Sequence, residues 1–292
     1  MSHATPVFRG VVSGSGVAEL QKWTSQVEAW PARSHVWGHY AEQTPTGEAI
    51  CRTENVSACH EGFRGLIDGV VCDLAASVLG VEVVAFKDKL NYKQPGGAGF
   101  SPHQDLAAYP GAREVMSVLV AVDECSLTSG CLWVANDVDE LLATDERGVV
   151  RADVVQSLEW SPVDLAPGDA LCIAGLMPHY SEANKSAASR RVLVASFSPV
   201  SEGYGRDGYY KARQATMESA GTDGKFRIST LADFEGIEVR GAVAPGGGPA
   251  ASGDGPGPSG DRPAASGDGP GPSGDGPAAS GDGGTAGHCT HG

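Results

Sequence analysis

The sequence predicts a mainly β protein, an antiparallel sandwich or barrel with flanking α-helices. Two stretches near the N-terminus repeat apolar residues at helical spacing. From Val81 onward, short Val-rich runs are bounded by Gly, Pro or Asp, as strands are. Those runs follow one another through short turns, which favours antiparallel pairing.

Taken in order, residues 15–30 carry Val17, Leu20, Trp23, Val27 and Trp30 near helical spacing. Residues 60–79 form the clearest helix, with Phe63, Leu66, Ile67, Val70, Val71, Leu74, Val78 and Leu79 recurring at i, i+3 and i+4. Gly80 stands where a helix would end. Strands are expected over 81–86, 115–122, 170–175 and 192–198. PGGAG at 95–99, TSG at 128–130 and APGD at 166–169 are turns. Beyond about Gly241 the chain is almost entirely Gly, Pro, Ala, Ser and Asp, with a near-perfect repeat at 249–262 and 263–276. No residue there can build a core, so a domain over 1–240 and a disordered tail over 241–292 are expected. The terminal His288-Cys289-Thr290-His291 has metal-binding residue types but too few ligands and no fold around them.

Formal net charge is −15 over 292 residues. The tail holds five Asp and one Arg, −4 of that total, which leaves −11 for residues 1–240. An acidic chain without a basic stripe is a poor nucleic-acid binder. No apolar run approaches a membrane span of roughly 18 residues, and the N-terminus lacks a signal-peptide apolar region. The seven Cys are scattered without a C-x-x-C pair, several in apolar runs, which points to reduced, buried thiols and a cytoplasmic location.

His103-Gln104-Asp105 is an H-x-D triplet. Residues i and i+2 of an extended segment share a face, so imidazole and carboxylate can converge on one metal. Alone the triplet is weak, because chance supplies such triplets and a surface His beside a solvated Asp is the plain alternative. A third ligand is expected from a distant strand, and His179 fits, at the far end of the apolar run that follows PGD. Arg190 comes eleven residues later and opens another apolar strand. Two His and one carboxylate take one face of an iron and leave three positions open, two for the keto acid end of 2-oxoglutarate and one for O2. The distal carboxylate of 2-oxoglutarate then needs a buried, fork-shaped cation, which Arg supplies better than Lys. An Arg that merely snorkels to water is the alternative for Arg190.

An H-x-D, about 75 residues, then His-x-Ser with Arg eleven after the His resembles the phytanoyl-CoA dioxygenase family. The likeness runs from roughly Ala49 to Lys211, through 86–105, 129–134, 167–186 and 189–199. It implies a double-stranded β-helix core, jelly roll or cupin-like, and an oxygenase using iron(II), 2-oxoglutarate and O2. It implies His103, Asp105 and His179 as metal ligands, Arg190 as the 2-oxoglutarate clamp, and Lys89 and Ser181 as further co-substrate contacts. Leu119 departs from the Trp that some members place beside the co-substrate. Asp105 is retained where related halogenases carry a small residue, which favours hydroxylation. CRTENVS (51–57), KDKLNYKQPGG (87–97), PHQD (102–105) and SEGYGRDGYYKAR (201–213) are similar to a bacterial branch of 2-aminoethylphosphonate dioxygenase-like hydroxylases.

The expected substrate is a small anionic molecule, an organophosphonate first, with an amino acid or other small carboxylate as the alternative. Arg52, Asn55, Lys93, Tyr109, Arg206, Tyr209 and Tyr210 lie in the matching segments and supply donors for an anionic head group. Ordinary surface pairing, such as Arg52 with Glu54, is the plain alternative for each. A non-catalytic cupin-like binding protein and a zinc or manganese enzyme on the same barrel are the competing classes. Oligomeric state has no signature in the sequence.

Overall fold

The structure is a computed structural model, and it describes residues 6–30, 37–219 and 234–240. In chain order its elements are β1 (Val7–Phe8), α1 (Ser15–Glu28), β2 (Gly38–Thr44), β3 (Gly47–Glu54), α2 (Glu61–Leu66), α3 (Cys72–Leu79), β4 (Val83–Lys93), β5 (Phe100–His103), β6 (Met116–Ala121), β7 (Leu132–Ala135), α4 (Ala152–Val155), β8 (Trp160–Val163), β9 (Ala170–Ala174), β10 (His179–Ser181), β11 (Arg190–Pro199), α5 (Arg206–Ser219) and β12 (Ile237–Arg240). The strands form two antiparallel sheets. The larger has the order β1-β9-β6-β11-β4-β3-β2-β12, the smaller β5-β10-β7-β8. This is the jelly-roll arrangement that the family resemblance implies.

Alternation along the strands decides what each face of the large sheet touches. In β11, Leu193, Ala195 and Phe197 turn outward and pack under the helices, against Leu20 and Val27 of α1 and Phe63, Ile67 and Val71 of the second helical stretch. Val192 and Val194 turn the other way, into a separate cluster between the sheets with Leu119, Ile173 and Val134. The outer face thus supplies the main core and the inner face a walled space.

The helix expected over 60–79 is divided. Residues 67–71 form a π-turn in which Gly69 leaves helical geometry, at φ −99° and ψ −118°. Gly65 and Gly69 lower helix propensity at that point, yet Ile67 and Val71 stay buried, so the apolar stripe survives the break. Gly80 ends α3 in the left-handed region, at φ 72°, as expected.

The order of helices first and strands after is corrected by the β2–β3 hairpin, which lies between α1 and α2. Its strands bury polar side chains, His39 and Glu42 among them, and so lack an apolar signature. His179 is also placed differently from expectation. It does not end the run 170–175 but begins β10 in the other sheet, after a turn.

Cys51, Cys125, Cys131 and Cys172 are buried free thiols and Cys59 is an exposed one. No helix among the described residues is long and apolar enough to cross a membrane. The tail expected over 241–292, its repeat and the His288–His291 cluster lie outside the described residues.

Candidate active site

The two sheets enclose a cavity of about 440 Å³. Its floor is the inner face of the large sheet: Arg52 of β3, Lys87, Lys89 and Asn91 of β4, Ser117 and Leu119 of β6, and Arg190, Val192 and Val194 of β11. The small sheet supplies Phe100, Leu132, His179 and Ser181 opposite. One end is closed by α5 through Tyr209, Ala212 and Arg213 and by the turn at 105–110.

His103, Asp105 and His179 meet in this cavity, with one ligand atom of each within 4.8 Å of the others. Strand pairing brings the two histidines together, because His179 stands opposite His103 in the β10–β5 register. Gln104 keeps the backbone extended, at φ −121° and ψ 127°, so Asp105 falls on the same face as His103. The Gln104 side chain points the other way and ties down two loops. Its amide nitrogen donates to the Glu140 carbonyl at 2.9 Å and to the Leu176 carbonyl, and its oxygen accepts from Leu142 N at 2.8 Å.

The hydrogen bonds around the triad suit metal binding. Nδ1 of His103 lies 2.7 Å from the Ser101 carbonyl, and Nδ1 of His179 lies 3.0 Å from the Met177 carbonyl. A carbonyl only accepts, so both Nδ1 atoms carry the proton, and Nε2 is the nitrogen of each ring suited to a metal. Ser117 donates to Asp105 Oδ2 at 2.6 Å, which leaves Oδ1, 3.9 Å from His179 Nε2, on the metal side. Burial pushes the Asp105 carboxyl up, but His179, Lys89, His103 and the Ser117 hydroxyl together outweigh it and hold it below the usual carboxylate range. Burial, and then the neighbouring His103, pushes His179 down to about 4. At neutral pH His179 is therefore a neutral imidazole and Asp105 a carboxylate, and with His103 they make up the donor set of a 2-His-1-carboxylate iron(II) centre.

At the β11 end stands Arg190, 5 % exposed and in no ion pair with a carboxylate among the described residues. Its Nη2 donates to the Gly130 carbonyl at 2.6 Å, while its Nε is buried with no hydrogen-bond partner. A permanent charge with an orphaned donor aimed into a closed space fits the distal carboxylate of 2-oxoglutarate. Arg191 does not compete for this role, because Asp123 holds it through two contacts of 2.7 and 3.0 Å. Gly130 adopts φ +74°, and a Cβ there would run into the Glu182 carbonyl, so this position needs glycine.

The predicted residues divide by position. Arg190, Ser181, Lys89, Arg52, Tyr109 and Tyr209 line the cavity. Lys93 stands behind Ser181, donating to its hydroxyl at 2.8 Å and to the Gly130 and Glu182 carbonyls. Arg206 and Asn55 are not among the lining side chains. Arg206 donates to Asn55 and pairs with buried Asp88 at 2.6 Å, fastening α5 to β4. Tyr210 is not a lining residue either and stacks edge-on against Tyr209.

Lys87, Asn91, Ser117 and Arg213 line the cavity without having been singled out from the sequence. A signal existed for three of them. Lys87, Lys89 and Asn91 alternate along β4, so choosing Lys89 on a strand implies its neighbours two residues away. Arg213 lies one turn after Tyr209 on the same face of α5. Ser117, inside an apolar run, carries no such mark.

The profile of the phytanoyl-CoA dioxygenase (PhyH) family matches residues 6–192, beginning well before Ala49. A methylphosphonate hydroxylase of Gimesia maris is 34 % identical over 230 residues, 77 % of this chain and 88 % of the relative. A 2-aminoethylphosphonate dioxygenase of the uncultured bacterium HF130_AEPn_1 is 33 % identical over 214 residues, 71 % and 82 % of the two chains. Among solved structures, EctD from S. alaskensis with 2-oxoglutarate and 5-hydroxyectoine matches at TM-score 0.57 and 21 % identity, covering 70 % of this chain and 76 % of its own. The epimerase SnoN from nogalamycin biosynthesis matches at TM-score 0.57 and 18 % identity, covering 67 % and 78 %. These two share the fold. With the sequence match over most of its length and the triad in place, the chain belongs to the phytanoyl-CoA dioxygenase family and is a 2-oxoglutarate-dependent iron dioxygenase.

Proposed function

We propose that this dioxygenase hydroxylates a small aliphatic organophosphonate at the carbon beside phosphorus. The observation that carries this reading is the charge of the cavity wall. Arg52, Lys87, Lys89, Arg190 and Arg213 all face the space, against Asp105 as the lining carboxylate. The chain as a whole is strongly acidic, so this is a local concentration of cations. Surface charges beyond roughly 8–10 Å are screened at physiological salt, whereas partly buried cations lining a cavity are screened much less.

Arg190 and Lys89 would hold 2-oxoglutarate, with Ser181 beside the clamp. Arg52, Lys87 and Arg213 then remain at the α5 end for the three oxygens of a phosphonate. When bound, iron(II) with 2-oxoglutarate and O2 supplies the oxidising equivalent that replaces a C–H by a C–OH, releasing succinate and CO2. The chain's own side chains fix which carbon lies beside the metal and keep water out. Leu119, Ile173, Val192 and Val194 give that part of the wall an apolar surface suited to an alkyl carbon. The names of the two curated relatives support the same substrate class.

Incubation with iron(II), ascorbate, 2-oxoglutarate and a panel of small phosphonates and amino acids tests the proposal. Succinate and a gain of 16 daltons on a phosphonate are expected. Hydroxylation of amino acids with no response to any phosphonate would reject the substrate class and leave the dioxygenase standing.

A further inference from the structure

We infer that the substrate is an anion without an ammonium group and that Lys87 imposes this choice; the inference rests on the phosphonate reading above. The two curated relatives described above differ in this respect and in chain length, one named for methylphosphonate and the other for an aminated two-carbon phosphonate.

An aminated phosphonate needs cations for its oxygens and, for its nitrogen, a carboxylate or an open aromatic face. The cavity offers the first and withholds the second. Asp105 is the carboxylate among the described lining residues, and it belongs to the metal triad. Glu54 is not among the lining residues, and its carboxylate faces Arg52 at 3.6 Å and Arg213 at 3.8 Å and accepts from the Tyr40 hydroxyl at 3.3 Å.

Three of the four aromatic rings lining the cavity already face a cation of the chain, Arg52 lying 5.5 Å from the Phe100 centroid and Lys87 standing over Tyr109 and Tyr209. Tyr109 and Tyr209 form a corner, their centroids 6.0 Å apart and their planes at 68°. Such a corner suits an ammonium ion, but the Nζ of Lys87 stands in it. It lies 5.3 Å from the Tyr109 centroid and 5.5 Å from that of Tyr209, and 3.4 Å from the Tyr109 hydroxyl. The chain thus supplies its own cation where a substrate ammonium would otherwise sit.

Charge balance agrees. At this end Arg52, Lys87 and Arg213 stand against Glu54, an excess of two positive charges. A phosphonate dianion neutralises that excess. A substrate ammonium would add a further cation beside Lys87, and among the described lining residues the metal-binding Asp105 is the one carboxylate.

Propylphosphonate and 2-aminoethylphosphonate test this, since they share length and differ by methyl against ammonium. With the wild-type holoenzyme, kcat/KM is expected to favour propylphosphonate by about tenfold or more. Lys87→Met, which keeps the length and removes the charge, is expected to bring the ratio towards one. The wild-type ratio stands as a test even if that variant fails to fold. Equal use of the two, or preference for the amine, overturns the inference and leaves the phosphonate reading intact. An unchanged ratio in folded Lys87→Met overturns the role of Lys87. Turnover of an amino acid but of neither phosphonate overturns both readings.

Discussion

Asp105 is the only anion the triad offers a metal, and Ser117 holds it in place with a 2.6 Å hydrogen bond. Asp105→Ala is therefore expected to abolish iron binding and turnover together. Ser117→Ala keeps all three ligands and loses the bond that orients Asp105, together with a 3.1 Å contact to the Ser196 hydroxyl, so iron affinity should fall by roughly tenfold. Isothermal titration of the metal-free protein with iron(II) under argon distinguishes the two. Arg190→Ala leaves the triad whole and removes the buried cation proposed to hold the co-substrate. Breaking such a pair typically costs about 3–5 kcal/mol, so half-saturating 2-oxoglutarate should rise roughly a hundredfold or more. Arg191→Ala, which breaks a contact to Asp123 instead, should leave that concentration nearly unchanged. Arg190 was legible in the sequence because a permanent charge opening an apolar strand is costly without a purpose. Lys87 and Arg213 follow from Lys89 and Tyr209 only once those two are known to face inward, whereas Ser117, inside an apolar run, carries no mark at all.

At the scale of elements, α5 matters most for the substrate end, and Phe86 of β4 is what it rests on. Phe86 is fully buried, with Tyr109, Tyr204 and Tyr209 around it in edge-on contacts at 4.9, 5.0 and 5.6 Å. Phe86→Ala should cost about 3–5 kcal/mol of stability, seen as a lowered Tm. It should also raise the substrate KM more than the 2-oxoglutarate KM, because Tyr209 and Arg213 lose their support while Arg190 does not. Equal effects on both would show that α5 does not shape the substrate end. The strands over 116–121, 170–174 and 190–199 were readable because they are apolar on both faces, one under the helices and one between the sheets. The β2–β3 hairpin escaped because it buries hydrogen-bonded polar groups instead. The small-sheet strands, three or four residues long, are too short to show a period at all.

Across the whole molecule, the catalytic parts come from residues between Arg52 and Arg213, and the described core ends within the same span. The repeat at 249–276 has no apolar residue larger than Ala or Pro. Deletion of residues 245–292 is accordingly expected to leave Tm and kcat/KM unchanged, and a truncated chain that melts markedly earlier would show that the tail supports the fold. On this reading one cavity holds iron(II) on His103, Asp105 and His179 and 2-oxoglutarate on Arg190. Anaerobic addition of iron(II) and 2-oxoglutarate, followed in the visible range, tests it most directly. A weak charge-transfer band should develop in the wild type, fail to form in Asp105→Ala or with zinc, and need far more 2-oxoglutarate in Arg190→Ala. A band of wild-type strength in Asp105→Ala, or one with unchanged 2-oxoglutarate dependence in Arg190→Ala, would contradict it.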